Sequence, residues 1–445
     1  MTVAYPQGHV LYRNLHRAFP LITHGKGVSL YDASGKKYID ACGGAAVVNI
    51  GHGATEIAAA ISSQAQKMGY INGLQFSHEP VEDLAEIISK FLPFRRGKVY
   101  FLTSGTEAVE ASIKLARQYW VEQGKTSKFR VISRRPSYHG STLASLALSA
   151  RESYKSIYQP MLMNSHLIPA PYCYRCLFNE TYPSCELKCA HALEKQIQEL
   201  GDNNVSAFIT EVIGGASTGA AVPPQEYFRV IRKICDDHEV LLIADEIMTG
   251  IGRTGEWLAC HHFGLKPDII LLGKGLTGGY VPLSALAARN EIVDTIYANG
   301  RSFLHAQTFA QHPVGCAAGI ATLTFIEKKG LIKKCNKMGT LLKKNLSSFS
   351  ADKHVGDIRG QGLLFGIEFV QKKKNGTPFP REYRYTEKFL EEALKRGLVL
   401  WPHVGHADGK SGDLILLAPP FTIAPTEILE IKEILSETLE EMINI

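Results

Sequence analysis

No apolar run in the 445 residues approaches the roughly 18–20 that a membrane-crossing helix needs, which excludes a membrane-embedded chain. Charge of one sign is also scarce. The 49 Lys and Arg against 43 Asp and Glu leave a net +6, too thin to attract nucleic acid or a membrane surface. The one dense basic run, Lys372-Lys373-Lys374, precedes Asn375-Gly376 and reads as a solvated turn. Met1 to Val10 lack a basic start followed by an apolar core, so no signal peptide is expected. Nine cysteines without such a signal point to a reducing, cytoplasmic setting, with thiols or metal ligands rather than disulfides. Internal repeats and low-complexity segments are absent, which excludes solenoids and propellers. With 45% hydrophobic and 21% charged residues, the composition is that of a globular chain, neither disordered nor fibrous.

Glycine, in contrast, is abundant. Many of the 40 glycines sit beside polar residues at the ends of apolar runs, where backbone can approach a ligand. A hairpin with a Ser34-Gly35 turn is expected over 28–40. Short apolar runs at 99–102, 130–133, 207–210, 240–244, 269–272 and 283–288 alternate with helical stretches. That alternation predicts an α/β fold with a mainly parallel, doubly wound sheet covered on both faces. Beyond it come helices over 314–329 and 331–348, strand-like segments at 358–369, 397–400 and 414–417, and a last helix over 425–442. The expected layout is a large domain over 50–305 and a smaller α+β domain built from 1–49 and 306–445.

In an open parallel sheet, ligands sit outside the carboxyl ends of the strands, and each predicted strand end here carries chemistry. Run 99–102 leads into Ser104-Gly105-Thr106-Glu107 and a helix, and run 130–133 leads to Tyr138-His139-Gly140. The next three runs end in Glu211, in Asp245 and in Gly273-Lys274-Gly275. A lysine emerging between two glycines after a buried strand is partly desolvated, which favours the neutral, nucleophilic amine. It fits no P-loop, because residue 275 is Gly rather than Ser or Thr. Asp245 ends the most apolar strand and needs a cationic or strongly donating partner: a protonated pyridine nitrogen or a buried arginine. Ser104, Gly105 and Thr106 open a helix whose free N–H groups suit a phosphate, while Ser104 and Glu107 have capping-box spacing. Tyr138 offers an aromatic face, and His139 beside it joins the cofactor-binding set. Together these groups ask for a flat cationic ring bearing a phosphate and an aldehyde, which is pyridoxal 5'-phosphate.

The segment from Leu241 through Asp245-Glu246-Ile247, Gly250, Gly252-Arg253 and Gly255 continues to Asp268, Gly273-Lys274-Gly275 and Gly279. With Tyr31-Asp32, Asp40, Gly51-His52-Gly53 and Ala418-Pro419-Pro420, it resembles the class III pyridoxal-phosphate aminotransferases, of the fold-type I superfamily, over nearly the whole chain. The resemblance implies that Lys274 forms the Schiff base with the cofactor and later shuttles a proton. It implies that Asp245 keeps the ring nitrogen protonated, Ser104-Gly105-Thr106 bind the phosphate, and Tyr138 stacks on the ring. Glu211 would lie on the substrate side. Thr308 would reach the neighbouring subunit's cofactor phosphate, which implies a homodimer with shared active sites. The implied reaction is a ping-pong transfer from an amine or amino acid, including ω-amino substrates, to a keto acid such as pyruvate or 2-oxoglutarate. Aminomutases, decarboxylases and racemases on the same fold are the alternative.

Departures from the family pattern bear on the substrate. Leu416 stands where many members carry an arginine that can pair with a carboxylate or with the glutamate matching Glu211. Ala45 and Ala46 replace the Trp pair of the diaminopelargonate-forming members, Met248 replaces a glutamine, and Val212 replaces a proline. Lys410 and Arg359 are candidate carboxylate anchors, the second with a structural role as its competing reading. Gly250-Ile251-Gly252-Arg253-Thr254-Gly255 matches a dinucleotide-binding pattern, but five residues separate it from its strand, so a tight loop beside the cofactor is expected instead. Cys173, Cys176, Cys185 and Cys189 have spacing that fits a structural zinc or other metal site and equally fits free thiols or two disulfides. Some relatives carry a similar stretch, one branch with an iron–sulfur cluster.

Overall fold

In the computed structural model, which describes residues 2–4 and 6–442, the apolar runs assemble into a seven-stranded sheet. Its strands stand in the order Gly97–Leu102, Ser284–Arg289, Ile269–Leu272, Leu241–Asp245, Val205–Glu211, Arg130–Arg135 and His166–Pro169. All run parallel except Ser284–Arg289, which is antiparallel to both neighbours. The three central strands are buried at every position, as continuous Ile, Leu, Val and Ala runs require when both sheet faces are covered. Alternate residues serve opposite faces: Phe208, Leu242 and Ile270 join one apolar cluster, while Ile209, Ile243 and Leu271 join the other. The sequence reading gives six of these strands. The seventh, His166–Pro169, is a four-residue edge strand with one buried position, too short and too mixed to stand out.

A two-stranded pair, Thr2–Val3 with Phe19–Pro20, and two four-stranded sheets complete the fold. One runs Val355–Gln361, Leu364–Phe369, Asp413–Leu417, Trp401–Val404, antiparallel throughout. The segment expected at 358–369 is thus two strands, turned by Gly362 at a φ of +60° that a side chain would resist. In the other sheet Leu398–Val399 pairs with Lys37–Asp40, which is hairpinned to Ser29–Asp32, so the two ends of the chain share one sheet. The helix Tyr385–Lys395 was not foreseen; those expected after residue 313 appear at Pro313–Lys328, Leu331–Leu346 and Pro425–Glu441.

The glycine-rich loop after Asp245 has a different purpose from the one expected. Gly252 and Gly255 take φ values of +89° and +94°, and a Cβ on either would collide with Phe421 or with Asn336. Neither glycine lines the large cavity described below, so their placement beside the cofactor is corrected: they permit close packing against the C-terminal third. Between them the wholly buried Arg253 donates to the Leu363 and Pro419 carbonyls at 3.0 and 2.6 Å and lies 4.7 Å over the Phe421 ring. Burial lowers its pKa to about 10. Arg253→Ala leaves two buried carbonyls without a donor and is expected to cost about 3 kcal/mol. Thermal and urea unfolding check this; an unchanged melting temperature contradicts the role.

Candidate active site

Parallel register sets the geometry. Asp245 is level with Glu211 on one neighbouring strand and with Leu271 on the other, so both carboxylates and the Gly273-Lys274 turn leave the sheet at one edge. All three side chains line a single cavity of about 930 Å³, together with Gly105, Thr106, Tyr138, His139 and Met248.

Lys274 follows its strand at a left-handed φ of +44°, and its Nζ donates to the Ala45 carbonyl at 2.8 Å. Burial lowers its pKa from 10.5 to about 8; nearby Asp245 opposes the shift and Arg253 adds to it. Asp245 is 6% exposed and accepts from His139 Nδ1 at 2.7 Å and from the Ile247 N–H at 3.1 Å. His139, anchored by its own N–H to Ser149 Oγ at 2.8 Å, fixes the carboxylate from behind. Its Nε2 is buried with no partner among the described residues. Glu211 is buried too; Oε1 accepts from the Gly215 N–H at 2.9 Å and Oε2 from the Tyr138 N–H at 3.4 Å. Burial pushes its pKa up, partly offset by His139 and Arg134. It has no ion pair among the described residues, and Leu416 is packed in its strand at 2% exposure.

The phosphate-type site divides its labour. Ser104 Oγ accepts from the Glu107 N–H at 3.4 Å while Glu107 Oε2 accepts from the Ser104 N–H at 2.9 Å, a complete capping box on the helix Gly105–Glu122. Ser104 is therefore spent on the cap and is absent from the cavity wall, whereas Gly105 and Thr106 face it. Tyr138 lines the cavity, its hydroxyl 3.1 Å from Ser141 Oγ. Thr308 is exposed and outside this cavity.

Neither anchor candidate belongs to the cavity. Arg359 is tied to Asp357, Glu368, Tyr172 and the Thr218 carbonyl at 2.6–2.9 Å, and Lys410 lies on an exposed loop. The metal expectation at Cys173, Cys176, Cys185 and Cys189 finds no support. Among the described residues no group of three or more His, Cys, Asp or Glu side chains is placed to hold an ion. The four thiols sit at different depths, Cys173 exposed and Cys185 buried. Among the wall residues that escaped the sequence reading are Arg13, Arg151 and Trp401. None follows a large-sheet strand end, the one signal that located the others.

Comparison with known proteins agrees with this geometry. The sequence model of the aminotransferase class-III family matches residues 11–439. The aminotransferase YodT of Bacillus subtilis is 38% identical over 97% of this chain and 97% of its own. The putrescine–pyruvate aminotransferase of Pseudomonas aeruginosa is 32% identical over 95% of this chain and 90% of its own. A crystal structure of an amine transaminase from an uncultivated Pseudomonas species, in its PLP-bound form, superposes with a TM-score of 0.89 at 31% identity, covering 99% and 98% of the two chains.

The lowered pKa of Lys274 carries its own test. In protein stripped of cofactor, its amine is protonated below about pH 8 and neutral above it, so reductive methylation of Lys274 should be half-maximal there. Peptide mapping over a pH series checks this, and a midpoint near the ordinary 10.5 contradicts it.

Proposed function

The chain belongs to the class III aminotransferases, and on that premise we propose that it holds pyridoxal phosphate in the 930 Å³ cavity and passes an amino group from an amine or amino acid to a keto acid such as pyruvate or 2-oxoglutarate. The observation that carries this reading is the buried Lys274 amine, poised at about 8, in one cavity with the Asp245 carboxylate and a helix N-terminus.

The residues present fit the cofactor. Gly105 leaves open a cradle at the helix N-terminus where a Cβ would meet Ile247 at 3.0 Å, and the first-turn N–H groups there suit a phosphate. Tyr138 offers a flat face, and Asp245 a carboxylate for a cationic ring nitrogen. Pyridoxal phosphate bound there supplies an aldehyde that captures amines and a ring that takes up the electron pair left by a departing proton. The chain supplies the rest. With that group bound, Lys274 Nζ would be the base that takes up and holds the proton of the substrate carbon, a task its pKa suits at neutral pH. Asp245, held by His139 and the Ile247 N–H, stabilises positive charge on the ring nitrogen. Glu211 borders the substrate space and takes a proton more readily than an ordinary carboxylate. Donor and acceptor use the cavity in turn.

A homodimer belongs to the same reading. Thr308 is exposed on a segment where Leu304 and Phe309 are 73% and 52% exposed, and Leu74 is 92% exposed. Apolar surface of this kind supports a partner subunit, with Thr308 of one protomer reaching the phosphate site of the other. The cofactor-holding part is assigned to 50–305 and the smaller part to 1–49 and 306–445, with Arg253 bridging them. All nine cysteines are free, which favours a reducing compartment such as the cytoplasm, and no described helix is long and apolar enough to cross a membrane.

The purified protein is expected to take up pyridoxal phosphate and absorb visible light. Lys274→Ala should lower turnover of an amine with pyruvate by at least about 100-fold. A colourless protein that takes up no cofactor overturns the proposal.

A further inference from the structure

The cationic side chains among the residues lining the cavity are Lys274, Arg13 and Arg151. Lys274 is accounted for; the two arginines are not. Arg151 Cζ lies 4.1 Å from the centroid of the Tyr154 ring and 5.7 Å from that of Tyr138. Arg13 lies 5.7 Å from the Tyr154 ring and donates to its hydroxyl at 2.8 Å. Two guanidinium groups thus share one tyrosine, and neither has a carboxylate within ion-pair distance among the described residues. Arg151 Nε is buried without any hydrogen-bond partner.

Other buried arginines of this chain behave differently. Arg134 donates to the Glu211 carbonyl, Arg253 to two carbonyls, and Arg359 to two carboxylates. Arg134 Nε and Arg253 Nε are unpartnered too, so what sets Arg151 and Arg13 apart is the cavity they line. Two guanidinium groups that share one tyrosine, lack a carboxylate within ion-pair distance among the described residues and line a ligand cavity are placed to receive an anion from outside.

We infer that Arg151, backed by Arg13, receives the carboxylate of the substrate and so replaces the arginine missing at Leu416. The inference rests on the cavity being the aminotransferase site. Its position also restricts the donor. The reacting amine must reach the floor at Lys274, whereas Arg151 stands beside Tyr154 and near rim residues Ile157 and Tyr158, 79% and 48% exposed. Leu143, Ile213 and Trp401 contribute apolar wall to the same cavity. An amino acid whose carboxylate is several methylenes from its amine meets both ends and the wall between them.

4-Aminobutyrate and butylamine differ only in that carboxylate and provide the test. In Arg151→Met the ratio of kcat/KM for 4-aminobutyrate to that for butylamine should fall about 10- to 100-fold, mainly through KM. Arg151→Lys, which keeps the charge without the fork, should fall less. Calorimetric titration of the cofactor-loaded enzyme with butyrate, which has no amine to react, should show affinity falling by a similar factor in Arg151→Met. The cofactor content should be unaltered. An unchanged ratio and unchanged butyrate affinity, with cofactor still bound, overturn the inference alone. Wild-type protein that takes up no pyridoxal phosphate overturns the reading beneath it.

Discussion

The parallel register of three adjacent strands is the constraint from which the cavity follows. Ala244 and Asp245 sit level with Thr210 and Glu211 on one side, and Asp245 sits level with Leu271 on the other. Because side chains alternate faces along a strand, a one-residue slip would turn Asp245 toward the opposite apolar layer and displace Lys274 relative to it. The register is held by burial: every position of Val205–Glu211, Leu241–Asp245 and Ile269–Leu272 is buried, and alternate residues fill two separate apolar clusters. Packing that shows no chemistry is what brings an amine and two carboxylates to one edge.

Burial also supplies the reactivity. The same desolvation that lowers Lys274 to about 8 raises Glu211, so the amine gives up a proton, and the acid takes one, more readily than either would in water. Asp245 is buried there with its hydrogen bonds met by His139 and the Ile247 N–H. Arg253 serves the reverse purpose: fully buried and spent on two carbonyls, it joins the loop after Asp245 to the C-terminal third.

Much of this was legible in the sequence, because strand ends in a parallel sheet are a local signal with a long-range consequence. Gly105, Thr106, Tyr138, His139, Glu211, Asp245 and Lys274 were located that way, and the structure brings them to one cavity. Ser104 shows the limit of a local pattern: the same residue answers to a phosphate site and to a capping box, and its hydrogen bonds select the cap. The glycines of the G-x-G-x-x-G loop have their reason 80 or more residues away, in Asn336 and Phe421. Arg151 and Arg13 were invisible for a related reason. They meet at Tyr154, three residues from Arg151 but 141 from Arg13, and no local spacing announces that meeting. The cysteine spacing leaves a metal, free thiols and disulfides open, and the structure has the four as free thiols.

The central claim is that Lys274 is the point of covalent attachment for pyridoxal phosphate. Borohydride reduction of the cofactor-loaded protein, followed by proteolysis and mass spectrometry, tests it directly. The account predicts a pyridoxyl group on Lys274 Nζ. A label on another lysine, or none, contradicts it.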